Sequence, residues 1–71
     1  MELRIRDLRE DADLSQQEVA ALLNVSQTTY SRYESGVLDI PWKSLVKLAQ
    51  YYKTSVDYLV GLTKEKKPYR P

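Results

Sequence analysis

Seventy-one residues suffice for one small domain, and the composition narrows what such a domain can do. The chain has no cysteine and no histidine, which excludes a disulfide framework, a thiolate metal site and the commonest general base at neutral pH. Its formal net charge is +1 but unevenly placed: residues 1–13 hold three basic and five acidic side chains, residues 14–40 hold Arg32 against Glu18, Glu34 and Asp39, and residues 41–71 hold seven basic side chains against Asp57 and Glu65. A domain of this size buries only about 60% of the surface its unfolded chain exposes, so a partner subunit would add stability. No stretch approaches the roughly 18 apolar residues of a membrane span. Met1-Glu2-Leu3-Arg4 lacks the apolar core of a signal peptide. A soluble, cytoplasmic protein with no membrane association is expected.

Glycine occurs only at 36 and 61 and proline only at 41, 68 and 71, with apolar residues spaced by three and four. That pattern predicts short helices and an all-α fold. The first helix is expected over roughly 2–12, with Leu3 or Ile5 and Leu8 inward and Arg4, Arg6, Arg9 and Glu10 mostly outward. Asp11 and Asp13 oppose the helix dipole at its C-terminus and suit a turn. Ser15-Gln16-Gln17-Glu18 is a capping box that opens a second helix through Val19, Ala20, Leu22 and Leu23. Asn24 tolerates the left-handed conformation and ends it. Ser26 caps a third helix from Gln27 to about Glu34, which Ser35-Gly36 terminates. Pro41 suits the first position of a fourth helix with Leu45, Leu48, Ala49 and Tyr52 as its apolar stripe. Ser55 caps a short fifth helix ended by Gly61, and residues 63–71 read as a basic, flexible tail after a domain spanning 1–62.

The second and third predicted helices are joined by only two residues, and Ala20 supplies the small side chain that a close crossing needs. The third helix is chemically divided. Tyr30 and Tyr33 are bulky and face inward; Gln27, Thr28, Thr29, Ser31 and Arg32 take the other positions. This is the layout of a helix-turn-helix, whose second helix enters the major groove of duplex DNA. Gln27 can address adenine, the Thr28 methyl can meet a thymine methyl, and Arg32 can address guanine or a phosphate. Helix N-termini at 15 and 26 present amides to phosphate oxygens.

Leu14-Ser15-Gln16-Gln17-Glu18-Val19-Ala20, Asn24-Val25-Ser26-Gln27 and Ser31-Arg32-Tyr33-Glu34-Ser35-Gly36 resemble the phage-repressor and Cro-type (XRE) helix-turn-helix family. The resemblance continues through Ile40-Pro41, Leu45-Val46-Lys47-Leu48-Ala49 and Thr54-Ser55-Val56-Asp57-Tyr58-Leu59-Val60-Gly61. It implies a compact five-helix, repressor-like DNA-binding domain that acts as a homodimer on pseudo-palindromic operators. It also implies that Gln16, with Ser15 nearby, meets a phosphate at the start of the second helix. Gln17, beside it, is a further candidate for DNA contact. Gln27, Thr28 and Arg32 match base-reading positions, supported by Ser26, Thr29 and Ser31. Arg9 and Glu34 match a structural salt bridge between the first and third helices.

This chain departs from some relatives in the loop Val37-Leu38-Asp39-Ile40 and at Trp42, which carry little positive charge. Phosphate contacts are then expected from loop amides together with Arg4, Arg6, Lys43 or the tail. Each neutralised phosphate contributes about −0.9 to the salt slope, so few contacts imply a shallow one. Weak binding by the monomer makes dimerisation important. The alternative reading is a protein-interaction module or antitoxin on the same fold, docking through Leu38, Trp42 and the last helix. An enzyme is disfavoured, and no metal or cofactor is expected.

Overall fold

A computed structural model of the chain describes residues 3–67, and these form five helices and no strand. In order they are α1 (Ile5–Asp11), α2 (Gln16–Leu23), α3 (Gln27–Ser35), α4 (Trp42–Tyr51) and α5 (Val56–Leu59). None of the described helices is long and apolar enough to cross a membrane.

The start of α1 lies later than the spacing of apolar residues suggested. The amide of Arg4 donates to the carbonyl of Leu59 at 2.9 Å, which commits that backbone to the C-terminal helix. Arg4 therefore occupies the N-cap, without a side-chain cap of its own, and residues 1 and 2 lie outside the described residues. Of the two inward candidates, Ile5 is fully buried and Leu3 packs at the rim. Asp13 turns the chain with a φ of 57°.

At α2 the capping box is complete. The Ser15 hydroxyl accepts from the Glu18 amide at 3.0 Å, and the Glu18 carboxylate accepts from the Ser15 amide at 2.9 Å. Asn24 is left-handed (φ 59°, ψ 42°), and the next amide, of Val25, returns to the Ala20 carbonyl at 3.0 Å. Three residues, Asn24 to Ser26, thereby join α2 to α3. Ala20 is buried in the core. Ser26 caps α3 by accepting from the Thr29 amide at 3.1 Å, and Gly36 ends it at φ 80°. A Cβ on Gly36 would meet nothing within 4 Å, so backbone conformation, not space, calls for glycine there.

Pro41 precedes the helix that it was expected to begin. Its φ of −63° suits a helix but its ψ of 151° is extended, which makes it the N-cap of α4. The Pro41 carbonyl then accepts from Ser44 and Leu45 at 3.0 and 3.1 Å. Lys53 links α4 to α5 with a φ of 57°, a left-handed turn that no glycine or asparagine announced. Ser55 caps α5, which ends at Leu59; Gly61, with φ 82°, follows two residues later.

Ile5, Val19, Tyr30, Leu48 and Leu59 are the largest fully buried side chains, one from each helix. Removing a Val, Leu or Ile side chain of this kind from water contributes about 1.5–3 kcal/mol. Tyr30 meets Tyr33 edge to face with ring centroids 6.4 Å apart. The two ends of the described chain are also stitched together. The Arg4 guanidinium donates to the carbonyls of Tyr58 and Thr63, both at 2.7 Å, and lies 4.3 Å over the Tyr58 ring. The hydroxyl of buried Thr54 donates to the Lys66 carbonyl. Thr63 and Lys66, in the segment expected to be a flexible tail, thus accept hydrogen bonds from Arg4 and Thr54. Residues 68–71 of that expected tail lie outside the described residues.

Candidate nucleic-acid interface

The tight turn at Asn24 sets the N-terminus of α2 beside the outer face of α3. Gln16, Gln27, Thr28, Ser31 and Arg32 line one shallow, open concavity of about 490 Å³ there. Gln27, Thr28 and Arg32 are exposed, and Tyr30 and Tyr33 on the opposite side anchor the helix in the core. The division of α3 into a buried aromatic side and an exposed polar side is therefore real geometry.

Four other residues singled out in the sequence lie outside this lining. Ser15 and Ser26 are exposed and act as caps. The Ser26 hydroxyl also donates to the Thr29 hydroxyl at 2.9 Å, so Thr29 is tied to the cap. Gln17 is exposed on α2. The lining presents amide, hydroxyl and guanidinium groups, with Arg32 its single charge. Such a surface can both donate and accept, as base edges require.

Beneath the concavity lies a polar cluster centred on Glu34. Its side chain is 3% exposed and accepts two bonds from Arg9, Nε to Oε2 at 2.7 Å and Nη2 to Oε1 at 3.2 Å. A third Arg9 nitrogen donates to the Leu14 carbonyl at 2.9 Å. Gln16 Nε2 donates to Glu34 Oε1 at 3.1 Å, and Arg6 Nε stands 3.8 Å from that same oxygen. Burial of Glu34 favours its neutral form, but the hydrogen bonds, Arg9 first, outweigh it and hold the carboxyl below its ordinary range. The same contact raises Arg9 above the ordinary arginine value. The Tyr30 hydroxyl is close enough to feel Glu34, yet it and the Tyr52 hydroxyl are buried without hydrogen-bond geometry to any partner. Burial raises both phenols, Tyr52 to about 12.

Gln16 thus holds Glu34, a structural bond that its sequence position alone did not disclose. Arg4 and Arg6 stood together among several candidate cations, and the structure separates them. Arg4 is spent on backbone carbonyls, whereas Arg6 is exposed beside Glu34. The spacing of Arg6 and Arg9 by three residues was the available signal, since it places both on one face of α1. Past α3, Val37, Leu38 and Trp42 are exposed, Trp42 at 67%.

A family model described as helix-turn-helix matches residues 5–59, which takes in all five helices. The chain belongs to this helix-turn-helix family. Among its relatives, the cryptic phage CTXphi transcriptional repressor RstR of Vibrio cholerae is 40% identical over 58 residues, 82% of this chain and 52% of that protein. The HTH-type transcriptional regulator YobD of Bacillus subtilis is 35% identical over 65 residues, 92% of this chain and 58% of that protein. The crystal structure of a transcriptional regulator from Listeria innocua matches with a TM-score of 0.79 and 34% identity, over 86% of this chain and 57% of that one. The chain spans little more than half the length of each of these relatives.

Proposed function

We propose that this helix-turn-helix chain binds duplex DNA in the major groove through α3 and regulates transcription, as a repressor. The observation that carries this reading is the single concavity lined by Gln16 from α2 and Gln27, Thr28, Ser31 and Arg32 from α3. Side chains able to read base edges there adjoin one suited to a phosphate. The named relatives, among them a phage repressor, support the same reading. In it Gln27, Thr28 and Arg32 read bases, Ser31 supports them, and Ser15, Gln16, Gln17, Ser26 and Thr29 serve the phosphates and the caps. The chain acts in the cytoplasm as a homodimer on a pseudo-palindromic operator, with no catalytic step.

Selection of random duplex DNA by the purified protein at low salt tests this, since phosphate contacts are least screened there. Recovery of a pseudo-palindrome with half-sites about one helical turn apart is the expected result. An asymmetric half-site would remove the homodimer. No enrichment would remove DNA recognition and favour the second reading, a protein-interaction module or antitoxin. The exposure of Val37, Leu38 and Trp42 beside α3 is the observation in that reading's favour.

A further inference from the structure

Resting on the proposed homodimer, we infer that its two copies meet through the segment between α3 and α4. Val37, Leu38 and Trp42 of one chain pack against the same residues of a second copy, and Asp39 of each chain faces Lys43 of the other. Val37 is 76% exposed, Leu38 42% and Trp42 67%, and all three fall within six residues. Single apolar side chains on a surface need no partner, whereas a contiguous patch marks an interaction site. This patch is also held outward. The Gly36 and Leu38 amides donate to the Tyr33 and Arg32 carbonyls at 3.3 and 3.2 Å, which pins the segment to the last turn of α3. On its other side Ile40 packs on the core and Pro41 caps α4.

Charge and size select a second copy as the occupant. Asp39 and Lys43 are exposed among the apolar residues, one acid and one base, and neither forms an ion pair among the described residues. A two-fold contact brings residue i of one chain to j of the other and j to i. The same two side chains then make two complementary pairs. Three side chains supply roughly a few hundred Å², against about 800 Å² per partner in a standard stable interface. That suits copies which duplex DNA has already brought together, and not a partner that must find the chain unaided. The patch begins two residues past α3, so a two-fold axis through it turns the C-terminal ends of both α3 helices toward each other. The described chain measures 34 × 22 × 20 Å. Two copies in contact can therefore stand on half-sites one helical turn, about 34 Å, apart.

The test uses the full chain and has one arm without DNA. Trp42 is the chain's one tryptophan, so its emission reports on the patch directly. Across a concentration series, sedimentation should move toward the dimer while the emission shifts to shorter wavelength. Asp39→Lys should abolish that shift and the charge swap Asp39→Lys/Lys43→Asp should restore it, an outcome only a reciprocal contact gives. The second arm compares a selected duplex carrying two half-sites with one carrying a single half-site. Wild type should bind the pair cooperatively, and an insertion of about five base pairs, half a turn, should abolish this. Trp42→Ala should lower the cooperativity about tenfold and leave single-site affinity unchanged. Unchanged cooperativity in Trp42→Ala, or self-association with constant Trp42 emission, would place the interface elsewhere and overturn the inference. So would a loss of single-site affinity in Trp42→Ala, which would assign the patch to DNA. Wild type that binds single sites but shows neither cooperativity nor self-association would overturn the homodimer too and leave DNA recognition standing. If wild type binds no duplex, the first arm decides alone. Thermal unfolding checks that each variant is folded, which the exposure of these residues favours.

Discussion

The side-chain amide of Gln16, the first residue of α2, donates to the carboxylate of Glu34 in the last turn of α3 at 3.1 Å. The Asn24 turn fixes the near ends of these helices, and this bond ties the start of one to the finish of the other. An α3 fixed at one end only could pivot about its turn. Held at both, it presents Gln27, Thr28 and Arg32 in a set relation to the Gln16 amide. Arg9 completes the arrangement by bringing α1 to the same carboxylate at 2.7 Å.

Removing the centre of that cluster should be expensive. Glu34→Ala leaves the Arg9 guanidinium, only 13% exposed, without its anion. Breaking a buried pair on one side costs about 3–5 kcal/mol, a large share of the total stability of a small domain. Urea unfolding followed by circular dichroism should show this loss. The companion variant Arg9→Met/Glu34→Leu replaces the pair by apolar groups and should recover most of it. A cost for Glu34→Ala below about 1 kcal/mol would mean that water reaches and solvates Arg9.

The same carboxylate sets an acid limit. Its folded-state value lies below the ordinary one because the bonds from Arg9 and Gln16 outweigh its burial. A depressed carboxyl stabilises the fold above its unfolded value, about 4.3, and that contribution is lost as pH falls through the folded value. Thermal midpoints measured from pH 6 downward should therefore drop below about pH 4.3. In Glu34→Gln the part of the drop due to this residue should vanish. An identical acid profile in that variant would place the sensitive carboxyl elsewhere.

Much of this architecture was legible in the sequence, and the reasons are local. Ser15, Glu18, Asn24, Ser26, Gly36 and Ser55 each announce a helix end by a hydrogen bond or a backbone conformation made within a few residues. Tyr30 and Tyr33, three apart, marked the inner side of α3, and the polar lining followed by elimination. What stayed hidden depends on distant partners. Arg4 reads as a surface charge until Tyr58 and Thr63 are seen folded against it. Gln16 reads as a solvent-facing glutamine until Glu34, eighteen positions away, closes beneath it. Asp13 and Lys53 hold left-handed turns although neither residue type reliably signals one, because the helices on either side impose the reversal. Pro41 has the right φ for a helix, but no local rule fixed its ψ.

Asn24 offers a clean check on the turn. Its φ of 59° and ψ of 42° are left-handed, a conformation that costs most L-residues about 1–2 kcal/mol and glycine very little. Asn24→Ala should lose about 1 kcal/mol in urea unfolding, while Asn24→Gly should be close to neutral. Equal losses in both would mean that the Asn24 side chain, exposed here, matters more than its backbone.

Two buried phenols predict the alkaline limit. The Tyr52 hydroxyl lies buried without a partner, and its ionisation is pushed up to about 12 by burial. A group whose charged form is disfavoured on folding leaves stability intact below its unfolded value, about 10 for tyrosine, and removes it as pH rises beyond that. Unfolding should therefore begin between about pH 10 and 12. Ultraviolet titration should show some tyrosines ionising only with that transition. Because the hydroxyl is unpaired, Tyr52→Phe should be neutral or stabilising at pH 7 and should reduce the alkaline loss. A destabilised Tyr52→Phe would show that the hydroxyl has a partner in solution.

The proposed reading face makes the last prediction, and it separates base contacts from backbone contacts by their signatures. Gln27 and Arg32 line the concavity and are exposed, and neither supports the core. Gln27→Ala and Arg32→Ala should therefore leave unfolding midpoints near the wild-type values. Against a selected duplex, each should cost about 1–3 kcal/mol if it makes a bidentate base contact, and should relax preference at one or two positions. Repeating the selection with each variant locates those positions directly. Arg32→Ala should shallow the salt slope as well if its guanidinium reaches a phosphate. Gln27→Ala removes no charge and should leave the slope alone. Two variants that weaken binding equally on every sequence would move base recognition away from α3. The exposed loop of Val37 and Leu38, which follows it, would then be the next segment to alter.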